Sequence, residues 1–135
     1  MSDNKKIEFS EKQNVGYCIS EELRNEQIKI NINKVKERVK AVEQLVNEPI
    51  AIVGFAPSLN DTWEEIKKFK YIMTCSGAHK FLVDRGIIPT FHLDLDPRSH
   101  KISMLGTPQK ETEYLIASTI HQNYLDALQG FNVKL

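Results

Sequence analysis

The chain has 135 residues and a mass of 15.5 kDa, with 41% hydrophobic and 27% charged residues. This composition is ordinary for one globular domain and excludes collagen-like, mucin-like and fully disordered chains. Because 18 basic side chains balance 18 acidic ones, the sequence disfavours nucleic-acid binding through a large positive face.

The N-terminal region shows no targeting signal. Its first 13 residues are polar and mixed in charge, without the apolar stretch of a secretion signal. Apolar runs such as 50–53 are far too short to span a bilayer. Cys18 and Cys75 lie far apart and match no zinc-binding spacing, which favours reduced thiols. These features predict a cytoplasmic protein that has no membrane partner.

Three segments are predicted: a flexible arm over 1–20, an N-terminal helix over 21–48 and a nucleotide-binding domain over 49–135. Six β-branched residues of the second segment recur at steps of three and four, as on one face of an amphipathic helix. They are Ile28, Ile32, Val35, Val39, Val42 and Val46. Leaving this stripe in water would forfeit more than the stability of a typical domain. We therefore expect a long helix from Glu21 to Asn47 that packs on the sheet of its own chain. Any exposed remainder would drive formation of a homo-oligomer.

After Pro49 the sequence alternates strand, turn and helix. The apolar run 50–53 predicts a strand buried on both faces of a parallel sheet. Further strands are predicted at 71–74, 91–95, 114–117 and 131–135, with helices that start at Asp61, Ala78 and Asn123. Strands separated by helical crossovers predict the α/β class, here a Rossmann-like three-layer domain with a mostly parallel sheet. The last strand is either a sheet edge or the point beyond which further strands of a longer protein would follow.

The turn after the first predicted strand has features of a phosphate-binding loop. Gly54 allows a sharp turn or the close approach of a ligand. Pro57 stiffens the loop, and Ser58 offers a hydroxyl and an N–H ahead of a helix N-terminus, which suits a phosphate. The loop is neither a Walker loop nor a GxGxxG fingerprint. A purely structural connection is an equally good interpretation.

Two carboxylates lie at the end of the third predicted strand and just after it. Alternation places His92, Asp94 and Asp96 on one side of this strand. The two carboxylates can share Mg²⁺, which would keep several waters and bind phosphate oxygens. An unpaired carboxylate leaving an apolar strand is costly, which favours a functional Asp94. Asp96 is followed by Pro97 and is equally typical of a helix cap. We predict Asp94 and Asp96 as catalytic and metal-binding residues.

Other polar residues lie in the loops that follow the predicted strands, where open α/β sheets bind ligands. His121 follows the fourth strand and can act as a general acid or base or as a phosphate donor, although a solvated histidine is the more frequent case. Arg98 and Lys101 form a small cationic cluster with His100 after the two aspartates, where they could meet phosphate. A solvated charge is at least as good an interpretation of Arg98.

These motifs together resemble a known family. The turn Ile-Val-Gly-Phe-Ala-Pro-Ser-Leu at 52–59, Ser76, the segment 82–89 with its Gly-Ile-Ile-Pro end, and the Asp94 strand resemble the 6-hydroxymethylpterin diphosphokinase MptE-like family. The same family includes motility accessory factors thought to transfer nonulosonic acids to flagellin. A Gly-x-Gly-Pro-Ser-Leu turn also recurs in bacterial sialyltransferases that use a cytidine monophosphate donor. The resemblance covers about residues 49–130.

The resemblance implies a Rossmann-like domain with a nucleotide at the turn and Asp94 near its phosphates or a metal. It carries over to Gly54, Pro57, Ser58, Leu59, Ser76 and Asp94, and more weakly to Asp96. Ala56 of the same turn is also predicted to bind the nucleotide, although it departs from the family pattern. Ala56 stands where the family turn has its second glycine. If that position needs a positive φ, the added methyl group costs about 1 kcal/mol.

The leading hypothesis is therefore a transferase close to a pterin diphosphokinase, with ATP and Mg²⁺ at this site and a small-molecule acceptor. One alternative is a glycosyltransferase that uses a nucleotide sugar, such as a cytidine nucleotide. A second alternative is a domain without catalysis that binds a nucleotide or mediates assembly.

Overall fold

The computed structural model describes Gly16, residues 18–41 and residues 45–135. Most of the predicted arm, together with Val42, lies outside these residues. The described chain contains a parallel sheet in the order β1-β2-β3-β4-β5. The strands are β1 (Ile50–Val53), β2 (Tyr71–Cys75), β3 (Phe91–Asp94), β4 (Glu113–Ile116) and β5 (Asn132–Lys134). The predicted α/β class and parallel sheet are confirmed.

Five α-helices and one 3₁₀ turn accompany the strands in the described residues. They are α1 (Glu21–Lys34), α2 (Leu59–Ile66), α3 (Ala78–Val83), the 3₁₀ turn (Ser99–Lys101), α4 (Ile102–Leu105) and α5 (Gln122–Ala127). The N–H groups of Leu59 and Asn60 donate to the carbonyls of Ala56 and Pro57, so the first helical turn forms before Asp61. α2 therefore begins two residues before this predicted cap. No helix in the described ranges has the length and apolar character needed to cross a membrane.

The helices α2 to α5 pack on one face of the sheet. On the β1–β2 side the core contains Val53, Leu59, Ile66, Ile72, Ala78, Leu82 and Ile87. On the β4–β5 side it contains Leu105, Tyr114, Ile116, Ile120, Tyr124, Leu125 and Leu128. Parallel strands are joined by right-handed crossovers, and with the strands in sequential order this rule places all of these connections on the same face. The described residues therefore form two layers, and the predicted third layer is not among them.

The opposite face of the sheet is apolar and open in the described part of the chain. Ile52 is 69% exposed, whereas its neighbour Val53 is buried in the core. Ile52 pairs with Met73 in register, and Met73 with Phe91, so that apolar side chains continue across this face. The prediction that the first strand is buried on both faces is wrong for the described residues, because the helices cover only one face.

The predicted long N-terminal helix is also corrected. α1 starts at Glu21, where the Ser20 hydroxyl accepts a hydrogen bond from the Leu23 N–H at 3.2 Å, but it ends at Lys34. Val35 is extended, with φ −110° and ψ 120°. The following residues pair with the end of the chain, through bonds from the Val39 N–H to the Leu135 carbonyl (2.8 Å) and from the Leu135 N–H to the Glu37 carbonyl (3.1 Å). The β-branched residues beyond Lys34 thus suit extended structure, which they favour intrinsically.

Polar side chains, and not the apolar stripe, anchor α1 to the domain. Gln27 and Asn31, one turn apart, are its fully buried residues, whereas Val39 of the stripe is 56% exposed. The Asn31 amide donates to the carbonyls of Ser118 at 3.0 Å and Ile120 at 2.7 Å. Val35 of the stripe packs against the core on the β4–β5 side, but it lies beyond the end of α1. The expected packing of one continuous helical stripe on the sheet is therefore wrong. α1 instead lies over the loop that follows β4.

We expect Asn31→Ala to lower the free energy of unfolding by about 2–3 kcal/mol, because it removes two hydrogen bonds and leaves two loop carbonyls without a donor. Urea denaturation measures this change. Asn33→Ala is the matched control, since the exposed Asn33 bonds only within α1, to the Lys29 carbonyl. Equal losses in the two variants would contradict the anchoring role of Asn31.

Candidate functional site

A cavity of about 300 Å³ lies where β2 and β3 end, at the carboxyl edge of the sheet. We call it the aspartate cavity. Residues that line it include Cys75, Ser76, Leu93, Asp94, Asp96 and Lys101. The parallel pairing of the two strands brings their following loops together, with Cys75 opposite Leu93 in register. The structure thus brings together three of the predicted site residues, Ser76, Asp94 and Asp96.

Asp94 is held in a fixed orientation at this cavity. Its carboxylate is nearly buried, with 3% of the residue exposed. One oxygen, Oδ1, accepts a hydrogen bond from the Asp96 N–H at 3.1 Å, and Oδ2 accepts one from the Tyr124 hydroxyl at 3.3 Å. The Tyr124 hydroxyl in turn contacts His92 Nε2 at 2.8 Å, and His92 Nδ1 contacts Thr74 Oγ1 at 3.0 Å. A buried polar chain of three further side chains therefore supports Asp94.

The two buried histidines are part of this support. Burial lowers the pKa of His92 to about 3, with a further contribution from His79 nearby. Burial also lowers the pKa of His79, whose Nδ1 lies 2.6 Å from the Leu105 carbonyl and whose Nε2 lies 3.1 Å from the Tyr114 hydroxyl. Both rings are neutral near pH 7 and act in the core as hydrogen-bonding groups.

Asp96 has a different environment. Its Oδ1 accepts hydrogen bonds from the Arg98 N–H at 3.1 Å and from Arg98 Nε at 2.9 Å, and its Oδ2 pairs with the same guanidinium. Hydrogen bonding by Arg98, followed by the charges of Arg98 and Lys101, lowers the pKa of Asp96 to about 2. Asp96 is thus an ionised carboxylate that already has a cationic partner.

Lys101 brings a positive charge to the wall of the aspartate cavity. Its side chain is only 11% exposed, and Nζ donates to Ser76 Oγ at 2.7 Å and lies 3.8 Å from Asp96 Oδ2. Ser76 has φ 51°, the only positive φ of a non-glycine residue in the described ranges. Such strained backbone persists where surrounding contacts hold it, often at functional sites. The site therefore combines the buried carboxylate of Asp94, the largely buried ammonium group of Lys101 and a serine, Ser76, with a strained backbone conformation.

The side chains that could ligate a metal ion determine how magnesium could be held at this cavity. In the part of the chain that the structure describes, no three histidine, cysteine, aspartate or glutamate side chains form a metal-binding group. Mg²⁺ in nucleotide sites, however, needs only one or two carboxylates, because waters and phosphates supply the other ligands. Each Asp94 oxygen has lone pairs beyond the hydrogen bond described above. The residues fit a magnesium ion held through Asp94, whereas at Asp96 the ion would displace Arg98.

The Gly54 turn lies exposed at the end of β1. An added Cβ at Gly54 would meet nothing within 4 Å, so the protein's own packing does not require glycine there. Ala56 has no positive φ, and its methyl group is therefore unstrained. Leu59 is buried in the core and anchors the end of the turn there.

The donors at the start of α2 are largely occupied. The N–H groups of Leu59, Asn60 and Asp61 bond to the carbonyls of Ala56, Pro57 and Ser58 at 3.0–3.1 Å. The Ser58 side chain is exposed and caps no N–H of the helix, which leaves its hydroxyl for a ligand. The turn thus offers the Ser58 hydroxyl in place of the row of free N–H groups that a phosphate-binding helix end presents.

The Gly54 turn and Asp94 are not direct neighbours. β2 lies between β1 and β3, so the ends of β1 and β3 are two strand spacings apart, or about 10 Å. One ligand could contact both only by extending over the Ser76 loop. His121 lies farther along the sheet edge and is the N-cap of α5, where Nδ1 accepts from the Asn123 N–H at 3.3 Å. The hydrogen bond to Asn123 accounts for His121 as a capping residue of α5.

Sequence reasoning missed the residues behind Asp94. Thr74 and His92 are opposite each other in register and are buried on the helix-covered face of the sheet. The sequence pattern that could have indicated them is a polar residue at an inward-facing position in each of two apolar strands. Tyr124 had no such signal, because it reaches Asp94 from a helix 30 residues later in the chain.

Comparisons with known proteins give one family. The family model described as 6-hydroxymethylpterin diphosphokinase MptE-like matches residues 23–134, which is most of the chain and includes every residue of the aspartate cavity. Neither the search of curated proteins nor the search of solved structures found a match.

Proposed function

The chain belongs to the 6-hydroxymethylpterin diphosphokinase MptE-like family, and from this premise we propose that it transfers diphosphate from ATP to the hydroxymethyl group of a pterin-like acceptor. The family supports a transferase of this general kind. The nucleotide, the metal and the acceptor are our proposal. The observation that carries it is the aspartate cavity, which is lined by both the buried Asp94 carboxylate and the largely buried Lys101 side chain.

The reaction needs positioning and charge neutralisation more than covalent chemistry. The acceptor's hydroxyl oxygen forms a bond to the β-phosphorus of ATP. The bond from that phosphorus to the oxygen bridging the α- and β-phosphates breaks, AMP leaves, and the hydroxyl proton is released. A bound Mg²⁺ would neutralise phosphate charge.

The residues of this chain have separate tasks in the proposal. Asp94, oriented by Tyr124, would hold the magnesium ion at the end of β3. Lys101, oriented by Ser76, would contact phosphate oxygens. Asp96 holds Arg98 at the rim, where the guanidinium can turn from the carboxylate to an incoming phosphate. This differs from the sequence-based expectation that both aspartates ligate the metal, which stays a prediction.

Lys101→Met is expected to weaken ATP binding about tenfold, because it removes a charged contact with phosphate in a partly buried site. Lys101→Arg should retain part of the affinity, since the positive charge remains. Isothermal titration calorimetry measures both values. Lys110→Met is the control, because Lys110 is exposed and bonds to the Gly130 carbonyl on the β5 side of the domain. Wild-type affinity in Lys101→Met would contradict the phosphate contact.

The proposed activity is tested by incubating the protein with ATP, Mg²⁺ and 6-hydroxymethylpterin and measuring AMP. AMP formation that requires the pterin is the expected result. A thermal-shift panel with ATP, cytidine monophosphate and a nucleoside diphosphate sugar, each with and without Mg²⁺, accompanies the assay. Stabilisation by the cytidine nucleotide without AMP formation would favour the glycosyltransferase alternative. No response to any ligand would favour a domain without catalysis.

A further inference from the structure

A second cavity, of about 310 Å³, lies beside the aspartate cavity. We call it the phenylalanine cavity. Six of its lining residues are Phe55, Gly77, Lys80, Phe81, Arg85 and Met104. Its volume is at the lower end of the range for small-molecule sites. It therefore suits one compact ring system and not a whole nucleotide.

Two aromatic rings give the cavity an apolar wall. The centroids of Phe55 and Phe81 are 6.5 Å apart, with the ring planes inclined by 58°. Phe55 is a large apolar side chain that is nevertheless 54% exposed. The Arg85 guanidinium lies over the Phe81 ring, 3.5 Å from its centroid. Phe55 thus gives this wall an aromatic surface that is partly open to solvent.

The position of the Phe55 ring depends on Gly77. A Cβ added at Gly77 would lie 2.7 Å from a carbon of the Phe55 ring, which is closer than carbon atoms approach in folded proteins. Gly77 has no positive φ, so its backbone conformation does not require glycine. The absence of a side chain at residue 77 lets the ring rest on the backbone beside the strained Ser76.

The two cavities share a wall. Ser76 lines the aspartate cavity, and the next residue, Gly77, lines the phenylalanine cavity. Across from them, Met104 of the phenylalanine cavity contacts Lys101 of the aspartate cavity, with Sδ 3.1 Å from Nζ. A ligand in one cavity would therefore lie directly beside a ligand in the other.

From this juxtaposition we infer that the phenylalanine cavity binds the planar nitrogen heterocycle of the acceptor, stacked on Phe55. The inference rests on the proposed function. In a hydroxymethyl acceptor, one carbon separates the ring from the oxygen that attacks phosphorus, so the ring must lie immediately beside the phosphates. The adenine of ATP is separated from the β-phosphate by the ribose and the α-phosphate. Lys80 and Asp84, which pair with each other, and Arg85 also line this cavity, and they carry donors and an acceptor for the edge of such a ring.

The test is Phe55→Leu, which removes the aromatic face but keeps apolar bulk against Gly77. We expect the affinity for 6-hydroxymethylpterin, measured by quenching of its fluorescence, to fall about tenfold, the loss that one stacking contact typically causes. The affinity for ATP, measured by calorimetry, should stay unchanged. Phe55→Trp should restore pterin binding. Phe69→Leu is the matched control, since Phe69 is also partly exposed but lines neither cavity.

A second variant tests the same geometry without removing the ring. Gly77→Ala should displace Phe55 and weaken pterin binding in the same way, with circular dichroism used to confirm that the fold is retained. Unchanged pterin affinity in both variants, in a protein that still transfers diphosphate, would overturn the inference and leave the proposed function standing. Loss of ATP affinity instead would assign the cavity to the nucleobase and also overturn the inference. A wild-type protein that binds no pterin would overturn both.

Discussion

Asp94→Asn is expected to abolish magnesium-dependent nucleotide binding and leave the fold intact. The substitution keeps the shape of the side chain. Its amide oxygen can still accept from the Asp96 N–H, and its NH₂ group can donate to the Tyr124 hydroxyl oxygen. It removes the negative charge that would hold the cation. Because Asp94 is nearly buried, water cannot replace the lost charge as it would at the surface.

Calorimetric titration of ATP with and without Mg²⁺ measures this effect. The wild-type protein should bind more tightly with the metal, and Asp94→Asn should bind equally in both conditions. Asp126→Asn is the control, because Asp126 is an exposed carboxylate of α5 that pairs with Lys34. Asp96→Asn is expected to be milder, since that residue balances Arg98 in this structure. A magnesium dependence that survives in Asp94→Asn would contradict the metal role.

Acidification from pH 7 to pH 4 is expected to remove several kcal/mol from the free energy of unfolding. The cause is the buried neutral His92, whose pKa falls from 6.5 to about 3 on folding. The unfolded chain gains a proton below pH 6.5 and the folded chain does not, so stability is complete above pH 6.5 and is lost as the pH falls toward 3. Each pKa unit corresponds to about 1.4 kcal/mol. His79, whose pKa is also lowered, adds to the loss.

Urea denaturation at a series of pH values checks this dependence. His92→Gln should be less stable at pH 7 but should lose less stability on acidification. His100→Asn should keep the wild-type pH dependence, since His100 is exposed. The lowered pKa of Asp96 acts in a separate window, where stability is lost as the pH falls from about 4 toward 2. A flat stability between pH 7 and pH 4 would show that His92 is not held neutral.

The short-range patterns after Pro49 predict the fold well. The run 50–53 has the bounds of β1, and the four later strands lie within one residue of their predicted ends. Gly86 and Gly130 have the positive φ that is typical of helix ends. These features depend on neighbours in sequence, where alternation, β-branching and turn residues act directly on the backbone.

The stripe of the N-terminal segment shows why periodicity alone can mislead. The β-branched residues do recur at helical spacing, but their intrinsic preference is for extended structure. Beyond Lys34 this preference is realised, because residues 37–39 find backbone partners at Leu135. Within α1 the interface is made by Gln27 and Asn31, which bond to loop carbonyls that no local pattern could reveal.

The α/β class, the order of strands and helices, and the placement of Asp94 at a strand end can be read from the sequence, since each follows from patterns among residues close in the chain. Long-range contacts establish which face of the sheet is covered, where α1 lies, and that Tyr124 and His92 support Asp94. The same contacts establish that Phe55 rests on Gly77. They join residues 22 to 89 positions apart, and they depend on which strands and loops become neighbours, a choice made by the burial of the whole chain and not by any short segment.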